Sequence, residues 1–299
     1  MYKPLGGLTA SVRGAGQVAR TGLPVYVNGA LVPEDEARVS VFDRGFARGD
    51  GLFETLRAYG GRAFMLDEHL ARLNHGLSTL RYQVSTADLG LRAAVEETVS
   101  ASGLASARVR VQITRGIGTT EFDTRTETSP TVIVAVQPLA DRPPKPLSTV
   151  ISRIRRDELS PIAGIKTTNY IPSILARMEA EDAGADDAIL LNYAGFVAEG
   201  CASNLFIVHS GRLLTPDLAS GVLPGIVRQT VLQIAAELGI PTIEKPIEPA
   251  LLEAADEIFL TSSTREVVPV ATLEGRRVGE GTFEMAEMLG REYRARTGE

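Results

Sequence analysis

The sequence predicts an α+β protein of two domains, and three observations support this fold class. The chain has 299 residues, 44% of them hydrophobic and 23% charged, which suits a soluble globular protein with two cores. Strand-like alternation and helical repeats of apolar residues occur in both halves. Between the halves, residues 137–146 are rich in proline and charge, and proline fixes φ and removes a ladder donor. We therefore predict a flexible N-terminal extension (1–22), a small N-terminal domain (23–137), a linker (138–148) and a large C-terminal domain (149–299).

The N-terminal half begins with a predicted β-hairpin, because Asn28 and Gly29 separate two apolar runs. Asp67 is a candidate N-cap for a helix that continues to about Arg81, since leucines recur there at helical spacing. The other predicted elements of this half are a helix at residues 86–102 and strands at residues 108–115 and 131–137.

The C-terminal half is predicted to be richer in strands. Turn residues such as those at 193–195 and 209–211 separate its short apolar runs. The predicted strands are residues 149–154, 188–192, 196–198, 204–208 and 257–261. The predicted helices are residues 172–183, which Gly184 ends, and residues 225–238, which Gly239 ends.

Composition argues against several classes of function. The net charge is −6 and the basic residues are spread along the chain, which disfavours a nucleic-acid or anionic-membrane partner. The single cysteine, Cys201, allows no internal disulfide and suits a reducing compartment, and the 3 histidines show no metal-ligand spacing. No apolar run approaches the ~20 residues that span a bilayer. We predict a metal-free cytoplasmic protein, and we interpret Cys201 as a packing residue.

Two residues, Lys166 and Glu199, carry the most informative chemistry. A partly desolvated lysine loses its proton easily and forms a Schiff base with an aldehyde. A carboxylate opposite a pyridine nitrogen keeps that nitrogen protonated, so that the ring acts as an electron sink. Taken alone, either residue is an ordinary surface charge. Together, each beside an apolar run, small residues and an asparagine, they meet the two demands of pyridoxal 5'-phosphate.

Several blocks in a fixed order extend this pattern over nearly the whole chain from about Val25. The blocks are Asp43-Arg44-Gly45, Gly49-Asp50-Gly51-Leu52-Phe53-Glu54, Glu68-His69-Leu70-Ala71-Arg72-Leu73, Lys166-Thr167-Thr168-Asn169-Tyr170, Glu199-Gly200 through Asn204-Leu205-Phe206, and Leu223-Pro224-Gly225-Ile226. In these blocks the chain resembles the class IV (fold type IV) pyridoxal-phosphate aminotransferases. That group includes branched-chain aminotransferases, D-amino acid transaminases and aminodeoxychorismate lyases. The resemblance implies a small N-terminal α/β sandwich and a larger, β-rich, barrel-like C-terminal domain.

The resemblance also implies roles for named residues. Lys166 would hold the aldehyde and then move a proton between the substrate Cα and the cofactor carbon, while Glu199 would face the ring nitrogen. The helix start at Gly225, Ile226 and Val227 would bind the phosphate through backbone amides. Val227 replaces the threonine that relatives often carry, so one side-chain bond is missing. The remaining cofactor-binding candidates are Arg72, Tyr170, Asn204, Leu223, Ser262 and Ser263. Outside the family pattern, the glycine is an ordinary helix cap and the Ser/Thr run a plain loop.

The handedness of the substrate depends on arginines. Arg108 and Arg110 share one face of an alternating strand, which is either a solvated face or a site for a substrate carboxylate. Arg110 aligns with an arginine of the branched-chain enzymes, but Arg108 stands where those enzymes usually carry tyrosine. The Arg-x-His pattern of the usual D-amino acid transaminases is absent from residues 118–122.

Arg48 precedes the Gly-Asp-Gly block. The resembling family often carries at this position a tyrosine or phenylalanine whose side chain reaches the neighbouring subunit's site. An Arg48 from one subunit and Arg110 from the other would clamp a carboxylate, which implies a homodimer with shared active sites. Arg265 and Thr264 are further carboxylate candidates. We therefore favour transfer of an amino group from a D-amino acid, such as D-alanine or D-glutamate, to 2-oxoglutarate or pyruvate. The alternatives are a branched-chain L-amino acid aminotransferase, then an aminodeoxychorismate lyase, then a non-catalytic scaffold.

Overall fold

The computed structural model describes residues 22–118, 129–141 and 145–298. The predicted N-terminal extension falls outside these ranges except for Gly22, as do residues 119–122 of the loop compared with the Arg-x-His pattern and residues 142–144 of the predicted linker. The helices are α1 (Arg44–Arg48), α2 (Leu66–Thr79), α3 (Leu91–Ser102), α4 (Ile171–Asp182), α5 (Ile226–Glu237), α6 (Ala250–Glu253) and α7 (Glu284–Ala295).

The strands form two sheets, one in each half of the chain. Those of the first half are β1 (Pro24–Val27), β2 (Ala30–Pro33), β3 (Gly51–Tyr59), β4 (Arg62–Ala63), β5 (Ala107–Thr114) and β6 (Thr131–Pro138). Those of the second half are β7 (Leu147–Arg156), β8 (Asp187–Asn192), β9 (Val197–Gly200), β10 (Asn204–His209), β11 (Arg212–Thr215), β12 (Thr242–Glu244), β13 (Glu257–Ser262), β14 (Glu266–Leu273) and β15 (Arg276–Arg277).

The first sheet has six strands in the order β2-β1-β6-β5-β3-β4, and every pairing is antiparallel. Its core lies between the sheet and helices α2 and α3, and the leucines of α2 belong to the same cluster of buried residues as the valines and isoleucine of β5. The second sheet has nine strands in the order β12-β11-β10-β13-β14-β7-β8-β9, with β15 beside β14. Its β11–β12, β14–β7 and β7–β8 pairs are parallel, so helices and loops must carry the chain back across it.

The regular patterns in the sequence locate most of the predicted helices and strands, but the observed ends of several elements differ from the predicted ends. The Asn28-Gly29 hairpin is confirmed, with Asn28 at φ 48°. The predicted cap at Asp67 is wrong: α2 begins at Leu66, and Asp67 lies in its first turn, where an acid favours the helix dipole. The helix predicted from residue 86 begins only at Leu91. The patterns in the sequence do not predict strand β3, strand β14, which pairs with β13, or helix α7.

Strand β3 connects the two halves because its residues alternate between two environments. Glu54 faces α2, where it bonds to Arg72. Phe53 faces the other way, and its amide N–H donates to the Lys166 carbonyl at 3.0 Å. Further along the same side, Arg57 reaches the second sheet at Glu266. The lysine loop is thus attached to the first sheet by a backbone hydrogen bond.

Across the described residues, no helix is long and apolar enough to cross a membrane.

Candidate active site

A cavity of about 390 Å³ lies between the two sheets and is bounded by strands β3 and β5, the lysine loop and the start of α5. The residues predicted to hold the cofactor all line this cavity: Arg72, Lys166, Tyr170, Glu199, Asn204, Leu223, Gly225, Ile226, Val227, Ser262 and Ser263. They come from elements far apart in the chain. The fold therefore brings the predicted set together in one place.

Lys166 sits against an aromatic wall. Its Nζ lies 4.5 Å from the centre of the Phe53 ring and 5.5 Å from that of Tyr170. Burial lowers the pKa of Lys166 from 10.5 to about 8, although the Glu54 carboxylate acts in the opposite direction. A substantial share of the amine is therefore neutral near physiological pH, as attack on an aldehyde requires.

Glu199 is held at both carboxylate oxygens. The Leu223 amide N–H donates to its Oε2 at 2.9 Å, and Arg156 Nε lies 3.1 Å from its Oε1. Arg156 also donates to the Gly221 carbonyl at 3.1 Å. This arrangement fixes the position of the Glu199 carboxylate at the cavity wall.

Asn204 shapes the segment that leads into α5. Its Nδ2 donates to the Leu223 carbonyl at 2.8 Å. A Cβ added to Gly225 would overlap the Asn204 Oδ1, so this close approach requires glycine. Gly225 is the N-cap of α5 and makes no side-chain capping bond. The amides at the start of α5, including those of Ile226 and Val227, are groups that a helix leaves without intrahelical partners, and they border the cavity.

Arg72 is aimed by three hydrogen bonds. Its Nε and Nη2 donate to Glu54 at 2.8 and 2.6 Å, and its Nη1 donates to the Pro224 carbonyl at 2.9 Å. Guanidinium has five N–H groups, so two remain for a ligand. Burial by itself raises the pKa of Glu54, but the charge and hydrogen bonds of Arg72 outweigh it and lower that pKa to about 2. Glu54 is therefore ionised whenever the protein is folded near neutral pH.

The turn between β13 and β14, which we call the β13–β14 turn (Ser263, Thr264 and Arg265), supplies hydroxyls to the cavity from the second sheet. The Ser263 Oγ lies 3.5 Å from His69 Nε2, and His69 Nδ1 lies 2.7 Å from Glu54 Oε2. Thr261, just before the turn, is 2% exposed, and its Oγ1 has no hydrogen-bond partner among the described residues. A buried hydroxyl without a partner is costly, which suits a wall that receives a polar ligand.

These groups fit a phosphorylated pyridine aldehyde. One end of the cavity offers Arg72, the first amides of α5 and serine hydroxyls, which are donors suited to a phosphate dianion. Elsewhere the cavity presents the Glu199 carboxylate and the amine of Lys166. The donor set thus matches the three parts of pyridoxal phosphate.

The predicted carboxylate-binding residues divide into two groups. Arg110 and Thr264 line the cavity, together with Arg108. Arg265 does not, because its Nη1 donates to Asp187 Oδ2 on β8 at 2.7 Å. Its predicted contact with substrate has no support in this cavity. Arg48 is exposed at the end of α1 and does not line the cavity, so its predicted reach into a neighbouring site stays a prediction.

Several functional neighbours were missed from the sequence. Glu54 and His69 support Arg72 and Ser263, Arg156 holds Glu199, and Phe53 packs on Lys166. Cys201, interpreted as a packing residue, is 7% exposed and borders the cavity. One signal was available: Glu54 is a lone acid in a strand of apolar residues, which indicates a buried charged partner.

The chain is similar to known proteins over most of its length. The family model described as amino-transferase class IV matches residues 51–273. A putative branched-chain-amino-acid aminotransferase of Methanocaldococcus jannaschii is 38% identical over 277 residues, which cover 89% of this chain and 94% of that protein. A D-alanine aminotransferase of Bacillus licheniformis is 32% identical over 260 residues, covering 87% of this chain and 91% of that protein.

Solved structures give the same result. A branched-chain amino acid aminotransferase from Thermobaculum terrenum, solved in its PLP form, superposes with a TM-score of 0.85 at 28% identity, covering 93% of this chain and 94% of that one. The two-domain α+β fold and the cofactor predicted from the sequence are confirmed. The chain therefore belongs to the class IV aminotransferases and is a pyridoxal-phosphate-dependent enzyme.

Proposed function

We propose that this aminotransferase acts on D-amino acids such as D-alanine or D-glutamate, with 2-oxoglutarate or pyruvate as acceptor, and that Arg110 binds the substrate α-carboxylate. The observation that carries this proposal is the cationic wall formed by Arg108 and Arg110 on β5. Within the described residues, neither arginine forms an ion pair with a carboxylate. The wall is therefore available to an anionic ligand.

The surroundings of Arg110 favour that use. Its guanidinium lies 4.0 Å from the centre of the Phe53 ring and donates to the Gln112 Oε1 at 3.3 and 3.2 Å. Burial, and then the charge of Arg108, lower the pKa of Arg110. A bound carboxylate would relieve that repulsion, whereas the apolar side chain of leucine or valine would bury both charges without compensation.

The position of the carboxylate determines handedness. The substrate Cα–H must point toward Lys166 for its proton to be transferred. With that bond fixed, exchanging the places of the carboxylate and the side chain converts one enantiomer into the other. One enantiomer places its carboxylate on the β5 wall and its side chain near the β13–β14 turn. The opposite enantiomer places its apolar side chain on β5 and its carboxylate near the turn. Binding of the carboxylate on β5 therefore selects the first of these two enantiomers.

In this proposal each residue has a definite task. Pyridoxal phosphate, when bound, supplies the electron sink that makes the substrate Cα–H acidic. Lys166 Nζ would accept the proton from the substrate Cα and deliver it to the cofactor carbon. Glu199 would hold the ring nitrogen, and Arg72 would bind the phosphate. Burial, and then the charge of Glu199, raise the pKa of Tyr170 to about 12, so its hydroxyl stays protonated and can donate a hydrogen bond in the cavity.

A branched-chain L-amino acid is the second candidate substrate. It is favoured by the 38% identity to the Methanocaldococcus jannaschii protein, whose name refers to that activity. The Bacillus subtilis aminodeoxychorismate lyase, 32% identical over 266 residues, keeps the lyase reaction as a third possibility to be tested.

A homodimer with shared active sites is also part of the proposal. Helix α4 exposes Ile171, Ile174, Leu175 and Met178, which recur at helical spacing and lie on one face. Phe46 of α1 is 75% exposed. Asn169 Nδ2 donates to the Gly49 carbonyl at 3.1 Å, so the end of α1 lies beside the start of α4. This apolar surface is suited to a second copy of the chain, and Arg48 lies at its edge.

The deciding experiment supplies the cofactor-loaded enzyme separately with D-alanine, D-glutamate, L-leucine, L-glutamate and aminodeoxychorismate. The product 2-oxo acid and the aminated acceptor are then measured. We expect turnover with the D-amino acids. Turnover with L-leucine and L-glutamate alone would replace the proposal by the branched-chain one, and release of pyruvate from aminodeoxychorismate without amino transfer would identify the lyase.

A further inference from the structure

Glu266 occupies a backbone conformation that glycine would adopt more easily. It is the first residue of β14 and has φ 61°, a left-handed value that side chains with a Cβ seldom take. Short hairpin turns commonly place glycine at such a position. A strained non-glycine residue persists where its surroundings impose it, often beside a functional site. The glutamate side chain must therefore be useful here.

That side chain joins three parts of the fold. Its Oε1 accepts from Arg57 Nη1 at 2.7 Å and from the Tyr59 hydroxyl at 2.9 Å, both on β3 of the first sheet. Its Oε2 accepts from Arg294 Nε of helix α7 at 2.5 Å. Glu266 is only 3% exposed, so its bonds to Arg57 and Tyr59 are buried, while the bond to Arg294 is partly buried.

The β13–β14 turn immediately precedes this anchor. Within the turn, Arg265 N–H donates to the Ser262 Oγ at 3.3 Å, and Arg265 also pairs with Asp187 of β8. Ser262, Ser263 and Thr264 line the cavity, as do Phe53 and Thr55 of β3. The same strand β3 thus lines the cavity with one part and binds Glu266 with another. A shift of Glu266 would move the turn relative to β3.

We propose that Glu266 is a positioning residue that holds the β13–β14 turn at a fixed distance from β3 and α2. It touches neither substrate nor cofactor. Through it, the serine hydroxyls of the second sheet and Arg72 of the first half would keep the relative position in which they line one cavity. The inference rests on the proposed phosphate roles of Arg72 and Ser263, and it is independent of substrate handedness.

The test measures the dissociation constant of pyridoxal phosphate from the apoprotein and the thermal unfolding of the apoprotein. E266Q keeps the strained φ and an acceptor oxygen but removes the charge, whereas E266G relieves the strain and removes every bond of the anchor. We expect both to weaken cofactor binding by about tenfold or more, since charge-assisted bonds that align the phosphate donors are lost. The loss should be larger in E266G, which has no acceptor at position 266, so that Arg57 keeps only its bonds to Asp141 and Ser106 on the side away from β14.

The matched control is E257Q. Glu257 is a buried carboxylate at the start of β13 and accepts from the amides of Met285 and Ala286 at 2.9 and 3.0 Å, away from the cavity. We expect E257Q to lower the unfolding temperature and leave cofactor affinity unchanged. If E266Q does not fold, Y59F and R294M each remove one donor and should weaken cofactor binding by a smaller factor.

Wild-type cofactor affinity in E266G, or in both Y59F and R294M, would overturn the proposal. An equal loss in E257Q would do the same, because it would show that any buried carboxylate near these strands affects binding. A finding that the enzyme prefers L-amino acids would leave these outcomes unchanged, so failure of the substrate proposal can be told apart from failure of this one.

Discussion

Glu54 and Arg72 form a two-point buried ion pair, with Nε and Nη2 of the arginine 2.8 and 2.6 Å from the two carboxylate oxygens. The pair joins the first sheet to helix α2 and leaves the remaining arginine N–H groups directed to other partners. An exposed lysine or arginine without such a pair would sample many orientations. Removing the carboxylate should therefore affect both stability and cofactor binding.

The first prediction concerns E54Q. Breaking one side of a buried ion pair leaves Arg72 uncompensated, so we expect a loss of about 3 kcal/mol in the free energy of unfolding at pH 7. Urea denaturation of the apoprotein would measure it. E181Q is the control, because Glu181 forms only an exposed pair with Arg177 and should change stability by no more than about 0.5 kcal/mol.

The stabilising effect of Glu54 should depend on pH. Its pKa falls from 4.5 to about 2 on folding, so the folded state binds fewer protons than the unfolded chain. The contribution is complete above the unfolded pKa and is lost as pH falls through the folded value. The difference between wild type and E54Q should therefore shrink between pH 4.5 and about 2. A difference that stays constant over this range would contradict the assignment.

The second prediction concerns Lys166. Because only the neutral amine reacts and its pKa is about 8, the rate at which apoprotein captures pyridoxal phosphate should rise about tenfold per pH unit below 8 and level off above it. Stopped-flow absorbance would record it. K166R should abolish capture, and K145M, at an exposed lysine, should leave the profile unchanged. A rate that continues to rise up to pH 10.5 would show that burial does not perturb this amine.

The third prediction concerns R110M. Loss of one charge-assisted contact to the substrate carboxylate should raise KM for the amino acid by about 10- to 100-fold, with a smaller change in kcat. R153M is the control, since the Arg153 side chain is 90% exposed. Steady-state kinetics with both enantiomers would test it. An unchanged KM would remove Arg110 from the carboxylate site.

The fourth prediction concerns G225A. The new Cβ would overlap the Asn204 Oδ1, so Asn204 or the start of α5 must move, and cofactor affinity should fall about tenfold or more. G290A is the matched control. Gly290 lies within helix α7, and its new Cβ would meet the Val267 side chain of β14 at an ordinary contact distance of 3.6 Å. There the substitution should stabilise the helix by up to about 1 kcal/mol. Equilibrium dialysis with the cofactor distinguishes them, and equal affinities in the two variants would refute the packing argument.

The fifth prediction concerns the proposed dimer. M178D places a charge on the apolar face of α4 and should convert a dimer to monomers in light scattering. L159D is the control, because Leu159 is 89% exposed at a different site and should leave the mass unchanged. A wild-type protein that is monomeric at micromolar concentration would refute the proposed interface.

The sequence by itself determined the elements with strong periodicity, and it predicted Lys166 and Glu199 as the reactive pair. The Asn28-Gly29 hairpin, strand β5 and this predicted pair stand out because local backbone preferences and ordered motifs lie within short stretches of chain. Element ends were less accurate, as the start of α2 at Leu66 shows, since capping depends on the segment's tertiary surroundings.

Only the tertiary structure decided which charges meet. Arg57 and Glu266 are 209 residues apart in the chain, and Arg265 turns to Asp187 rather than to the cavity. The spacing of residues in the sequence does not predict such ion pairs. They follow from how the two sheets pack and from the need of each buried charge for a partner. The motifs therefore indicated the chemistry of the chain, and long-range burial determined its geometry.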